Sequence, residues 1–179
     1  MEEKLTSTPM APHSLAALVL EAQKGDADAF TRLAEENQRT LFRVAYTVLG
    51  HDGECADAVQ EALSKAWLKL GALREPGYFR TWLIRILLNE CYRIKKRRKR
   101  MWEPVAACES RSAERLNDDI IDLKAAMTSL PEEQRLALAL YHVEDMSVAE
   151  IAKLLRLPQG TVKSRLARAR ARLAESMKA

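Results

Sequence analysis

The stretch SVAEIAKLLRLPQGTVKSRLARARARL, residues 147–173, decides the fold class. Ser147 followed three residues on by Glu150 is a capping box, in which each residue satisfies a backbone N–H at the start of a helix. The pattern predicts a short helix over Val148–Leu155. Arg156-Leu157-Pro158 breaks it, and a second helix is expected from Gln159 to about Ala174. Val162, Leu166, Ala169 and Leu173 recur at helical spacing as one apolar stripe that can dock this helix on its domain. Two helices on a tight turn, the second one basic, form the helix-turn-helix pattern. Ala152 stands where the first helix must approach the second closely, and Leu157 can plug the turn.

The side of the last helix opposite the stripe carries Ser164, Ala167 and Ala171. Thr161, Arg165, Arg168 and Arg172 flank them on one side, Lys163 and Arg170 on the other. Small residues let a helix axis sink into a groove while long cations reach the phosphate walls. Gln159, Thr161, Ser164 and Arg165 stand at the N-terminal end, where base edges are read. A solvated helix would interleave acids among its arginines. Residues 151–174 hold seven Lys/Arg and no acid. The set Gln159, Thr161, Lys163, Ser164, Arg165 and Arg168 is therefore expected to bind duplex DNA.

A second basic segment lies upstream. Residues 80–100 carry nine Lys/Arg against one acid, Glu90. The two segments hold +8 and +7 in a chain of net charge +4, which leaves −11 for everything else. Two short basic segments in an acidic chain point to two places that meet a polyanion.

The rest of the chain also reads as helix, with no strand-like alternation and no internal repeat. Leu15, Leu18, Val19 and Ala22 keep the helical period up to Lys24-Gly25-Asp26, and Asp26 can cap the next helix. That helix carries Phe30, Leu33, Leu41, Val44, Ala45 and Val48 and stops at Gly50. A third is expected from about Cys55 to Leu70, with Ala56, Val59, Leu63, Trp67 and Leu70 on its apolar side. Its other side presents Asp57, Gln60, Glu61, Ser64 and Leu68, an acidic-polar stripe with an exposed leucine that suits a protein partner. An ordinary solvated face explains that stripe equally well. After a break at Pro76-Gly77, a fourth helix is expected from about Phe79 to Arg100. Phe79, Leu83, Ile86, Leu87 and Ile94 make its apolar side. Trp82, Arg85, Asn89, Tyr92, Arg93 and Lys96 lie across from them, ahead of the run Lys95–Arg100. Aromatics interleaved with cations and an amide can hold unstacked bases. Trp82 and Tyr92 could equally pack on a neighbouring helix. The period leaves Glu90, near the apolar side, without a reason.

Residues 101–118 lose the period and are expected to be a flexible linker between domains at 14–100 and 119–179. Eighteen extended residues reach roughly 60 Å at ~3.3 Å each. Beyond it, Ile120, Leu123, Met127 and Leu130 open a second helical set, and Pro131 sits early in a helix carrying Leu136, Leu140 and Tyr141.

Several chemistries find no support. No phosphate-cradling glycine loop is present, and His13, His51 and His142 lack metal or triad spacing. His51 and Cys55 stand four apart, but two further ligands are missing. No cofactor, metal, catalytic residue or small-molecule substrate is expected. The acidic start Met1-Glu2-Glu3-Lys4 is unlike an export signal, and no unbroken apolar stretch exceeds six residues, as in Leu15–Leu20. Cys55, Cys91 and Cys108 cannot all pair, which suits a reducing cytoplasm. A stand-alone helix-turn-helix regulator would account for residues 120–179 but not for the aromatic-basic fourth helix.

Over about residues 14–178 the chain resembles the extracytoplasmic-function group of bacterial sigma-70 RNA polymerase sigma factors. The resemblance rests on Gly25-Asp26 with Ala29-Phe30, on Asp57-Ala58-Val59-Gln60-Glu61, Trp67, Phe79, Trp82-Leu83 and Asn89. In the second half it rests on Leu130-Pro131-Glu132 and on Gly160-Thr161-Val162-Lys163-Ser164-Arg165-Leu166 with Arg168-Ala169-Arg170. It implies an all-α protein of two small helical domains, a region 2 bundle and a region 4 helix-turn-helix. It implies a promoter-specificity subunit, not an enzyme, that answers envelope or other stress. Asp57, Gln60, Glu61, Ser64 and Leu68 would bind the largest subunit of core polymerase. Trp82, Arg85, Asn89, Tyr92, Arg93 and Lys96 would capture the opened −10 strand. The second domain would dock on the second-largest subunit and read the −35 duplex. An anti-sigma factor, often membrane-anchored in this family, would hold the otherwise cytoplasmic chain. Two features depart from the pattern: Arg93 stands where many members carry Asp, and residues 1–13 match nothing.

Overall fold

The computed structural model describes residues 14–101, 127 and 129–176. The linker expected at 101–118, all but its first residue, and the helix start expected near Ile120 lie outside the described residues. Within them the structure is helical, with no strand. The helices are α1 (Leu15–Gln23), α2 (Ala27–Leu49), α3 (Asp52–Lys69), α4 (Phe79–Met101), α5 (Glu132–His142), α6 (Val148–Leu155) and α7 (Gln159–Ser176). Short 3-10 turns at Leu70–Ala72 and Pro76–Tyr78 connect α3 to α4.

Local chemistry sets the boundaries. The Asp26 carboxylate accepts from the amides of Asp28 and Ala29 at 2.9 and 3.1 Å, which starts α2. Gly50 ends it in the left-handed region at φ 70°, where a side chain would be strained. α3 begins at Asp52, earlier than the period suggests, with Asp52 and Glu54 in its first turn facing the positive end of the helix dipole. Pro131 stands just outside α5 as its cap, where its missing N–H costs nothing.

Helices α1 to α4 pack as one bundle. α4 is its inner wall: Phe79, Leu83, Ile84, Leu87, Leu88, Cys91 and Ile94 are buried. The buried seam of α3 is rotated from the expected one. It consists of Cys55, Ala58, Val59, Ala62 and Ala66, while Ala56 is exposed, Leu63 half-buried and Trp67 37% exposed. Small side chains let α2 and α4 approach closely, so large Trp67 is displaced to the rim. There it tilts against Phe30, ring centroids 5.1 Å apart. Ile86 is likewise half-buried rather than fully inside. The Gln23 amide donates to the carbonyls of Leu70 and Leu73 at 3.0 and 2.7 Å, tying α1 to the connection after α3.

α5, α6 and α7 form the second group. Leu136, Leu140, Ile151, Leu154, Val162, Leu166 and Ala169 are buried, and Leu173 packs against them. The capping box at Ser147 is complete in both directions. Arg156 turns the chain between α6 and α7 in the left-handed region, φ 55°, and the Leu157 amide returns to the Ala152 carbonyl at 2.9 Å. The two groups also touch each other, α5 on α2 and α6 on α4.

Leu87 is fully buried in the wall that α4 presents to the bundle. Leu87→Ala should cost about 2–5 kcal/mol, read as a lowered urea midpoint, and an unchanged midpoint would contradict this core.

Candidate nucleic-acid interface

α7 turns its apolar stripe inward and leaves most of its cations exposed. With Val162, Leu166 and Ala169 turned inward, Gln159, Lys163, Ala167, Arg168, Ala171 and Arg172 are exposed, and Thr161 and Ser164 are half-exposed. The Ser164 hydroxyl donates to the Thr161 carbonyl at 2.9 Å and lies 3.4 Å from the Arg168 guanidinium. Arg170 stacks over the Tyr141 ring at 5.4 Å, a cation–π contact that holds it on α5. Arg165 is the most enclosed of the cations, its side chain 19% exposed, and it pairs with Glu133 at 2.6 Å.

On α4, Asn89, Tyr92, Arg93 and Lys96 are exposed, and Trp82 and Arg85 are half-buried. Trp82 leans on Phe79, centroids 6.1 Å apart, so part of its ring belongs to the bundle. The Arg85 guanidinium donates to the Lys153 carbonyl of α6 at 2.7 Å, while its Nε is buried with no partner. Arg85, Asn89, Tyr92 and Arg165 all line one cleft of about 480 Å³ between the two helical groups. The structure thus brings part of one expected DNA face against part of the other.

Glu90 now has a reason. It is buried on the α3 side of α4, where Lys65 reaches one oxygen at 2.7 Å and Arg93 the other at 2.6 Å. Burial pushes its carboxyl up, but the hydrogen bonds from Lys65 and Arg93 outweigh that and hold it below the ordinary 4.5. Lys65 also pairs with Glu61 at 3.1 Å, so this small network links α4 to the polar stripe of α3. In that stripe Asp57, Gln60, Ser64 and Leu68 are exposed, Glu61 is half-exposed, and Leu68 is open to water over 81% of its surface.

Sequence reasoning missed three residues that join the two groups. Glu144, between α5 and α6, is buried, and its oxygens accept from Arg43 at 3.0 Å and Arg80 at 2.5 Å. No periodic signal reveals such a pair, because the partners lie 101 and 64 residues away. Among the described residues, no three His, Cys, Asp or Glu cluster as a metal site. Burial pushes the Cys55 thiol up to about 11 and the Cys91 thiol up to about 12, so neither is a nucleophile near neutral pH. No helix among the described residues is long and apolar enough to cross a membrane.

Comparison with known proteins identifies the family. Residues 33–101 match the sigma-70 region 2 family and residues 120–173 the sigma-70 region 4 family. The chain is 35% identical over 156 residues to the ECF RNA polymerase sigma factor SigM of Mycobacterium tuberculosis H37Rv, covering 84% of this chain and 78% of that one. It is 33% identical over 170 residues to the ECF sigma-E factor of Escherichia coli K12, covering 86% and 88%. The chain belongs to the ECF sigma factors. Its fold matches the Bartonella quintana sigma factor RpoE, solved with the anti-sigma factor NepR, at TM-score 0.69 and 28% identity over 83% of this chain and 96% of that one. The region 2 match spans α2 from residue 33, α3 and α4, and the region 4 match spans α5, α6 and α7 as far as residue 173.

The Glu90 network should leave a mark on acid stability. Its lowered folded value means that the stabilisation is complete above the ordinary 4.5 and is lost as pH falls through the lower value. Glu90→Gln should be less stable than the wild type by about 1–2 kcal/mol at neutral pH. The gap should close in acid, as followed by urea titration at a series of pH values. A gap independent of pH would contradict the pairing.

Proposed function

We propose that this sigma factor binds core RNA polymerase through the α3 stripe and directs it to promoters with the two cationic faces. The α4 face would take the −10 strand as it opens, and α7 would read the −35 duplex in the major groove. The observation that carries the reading is α7: a basic helix with no acid before Glu175 in its last turn, docked by one apolar stripe in a helix-turn-helix, with small residues where the groove must admit it. Leu68, on the same helix stripe as Asp57 and Gln60 and open to water over 81% of its surface, supports a protein partner for α3.

The chemistry is binding, not catalysis. Unpairing of promoter bases is offset by stacking on Tyr92 and the open part of Trp82, at about 1–3 kcal/mol per base, and by polymerase contacts. The chain acts in the cytoplasm, without cofactor or metal. By similarity to a relative solved with NepR, an anti-sigma factor restrains it.

Run-off transcription with bacterial core polymerase tests the reading. Purified chain plus core should start transcripts at a defined set of genomic promoters, and no transcript from any of them would overturn it. In the same assay Arg165→Ala should lose about 1–3 kcal/mol of preference at one −35 base pair, and unchanged promoter choice would reject that role. Asp57→Lys with Glu61→Lys should weaken co-purification with core at least tenfold, and undiminished binding would clear the α3 stripe.

A further inference from the structure

We propose that Glu90 is a positioning residue for strand capture: from inside the bundle it holds the Arg93 guanidinium by Nε, which keeps the two Nη groups ready for one phosphate of the captured strand. The inference rests on the strand-capture reading of α4 given above.

Glu90 and Arg93 lie three residues apart on α4, neighbours on adjacent turns of the helix. Their surroundings differ sharply. The Glu90 side chain is 7% exposed and that of Arg93 is 53% exposed. A buried carboxylate is tolerated only when its oxygens are paired, and here each oxygen has a cation. Lys65 on α3 donates to Oε1 at 2.7 Å, and Arg93 donates to Oε2 at 2.6 Å. Lys65 also pairs with Glu61 at 3.1 Å. The carboxylate is therefore fixed from the α3 side and offers Arg93 its second oxygen in one place. Its own negative charge is neutralised twice and kept below the surface, where it does least harm to the approach of a polyanion.

Arg93 gives this acid Nε, the inner nitrogen of its guanidinium. The Nη1 and Nη2 pair, whose fork matches a phosphate bidentately, is not spent on it. Other cations of α4 spend their outermost nitrogens: Arg85 gives Nη2 to the Lys153 carbonyl, Arg98 gives Nη1 to Glu54, and Lys95 gives its ammonium to Glu132. Arg93 follows Tyr92, which is 45% exposed, and shares its helix face with the exposed Asn89 and Lys96. A base on the Tyr92 ring would bring its phosphate within reach of the fork. An untethered surface arginine loses rotamer freedom when it closes on a ligand, and that loss lowers affinity. Tethered at Nε, Arg93 has given up much of that freedom before the strand arrives.

The test follows a fluorescein-labelled dT12 oligonucleotide by anisotropy, with core polymerase alone and with core saturated by the full chain. Saturation keeps a change in core binding from imitating a change in strand binding. The chain should tighten dT12 binding over core alone, and Tyr92→Ala should reduce that gain. Glu90→Met should reduce it about three- to tenfold. Removal of an acid near a polyanion site would by itself tighten binding, so the expected sign is opposite to a charge effect. Arg93→Lys should reduce the gain as much, because one ammonium cannot hold Glu90 and present a fork to a phosphate. This exposed, charge-conserving change keeps the measurement informative if Glu90→Met misfolds. Arg93→Ala should lower the slope of log K against log salt by about 0.7, the mark of one lost phosphate contact on a single strand. Glu90→Met added to Arg93→Ala should cost less than about twofold more, whereas a purely structural role would cost the same in either background. Unchanged or tighter binding by Glu90→Met, wild-type binding by Arg93→Lys, or an undiminished further loss in the Arg93→Ala background would overturn the proposal. Weakening by Tyr92→Ala without weakening by Glu90→Met would leave the strand face standing and remove only the positioning role. No gain from the chain, or no loss with Tyr92→Ala, would remove the strand face and the proposal together.

Discussion

α4 must satisfy water, core and polyanion at once. One side of this 23-residue helix buries Phe79, Leu83, Ile84, Leu87, Leu88, Cys91 and Ile94, which closes the first bundle. The other side must stay cationic to be useful to a nucleic acid. The two demands meet at Glu90 and Arg93, where a buried carboxylate anchors a cation of the outer face and reaches across to Lys65 on α3. The bundle, the α3 stripe and the expected strand face are therefore coupled through one helix. The second group is simpler, because α7 docks through one stripe, Val162, Leu166, Ala169 and Leu173, and leaves most of its other side chains exposed.

Much of this was legible in the residues because local rules dominate short helices. The capping box at Ser147 predicted α6 to the residue, and Gly50 and Asp26 marked the ends of α2 through conformations and hydrogen bonds that few other residues supply. The face of α3 was less legible. Its period was read from the largest apolar side chains, but the seam is made of Cys55, Ala58, Ala62 and Ala66, whose small size is what close packing requires. Trp67 then has no room inside and covers the rim with Phe30. Charged residues with long-range partners were not legible at all. Glu90 needed Lys65, 25 residues away, and Glu144 needed Arg43, 101 residues away. Neither spacing has a helical or turn signature, so only the fold reveals the pairing.

The two DNA faces are also better understood together than apart. Arg85 and Asn89 on α4, and Arg165 on α7, were each expected to face a polyanion, and they face one shared cleft instead. On the proposed reading, core polymerase would hold the two groups apart and expose both faces to a promoter. On that reading, affinity for DNA would belong to the assembled machine rather than to the free chain, despite the fifteen net positive charges in two short segments.

The most direct measurement is the electrophoretic mobility of a cognate promoter duplex with the chain alone, with core polymerase alone, and with both. The account predicts a sequence-specific shift only when both are present. Tight, sequence-specific binding of that duplex by the chain by itself would contradict it.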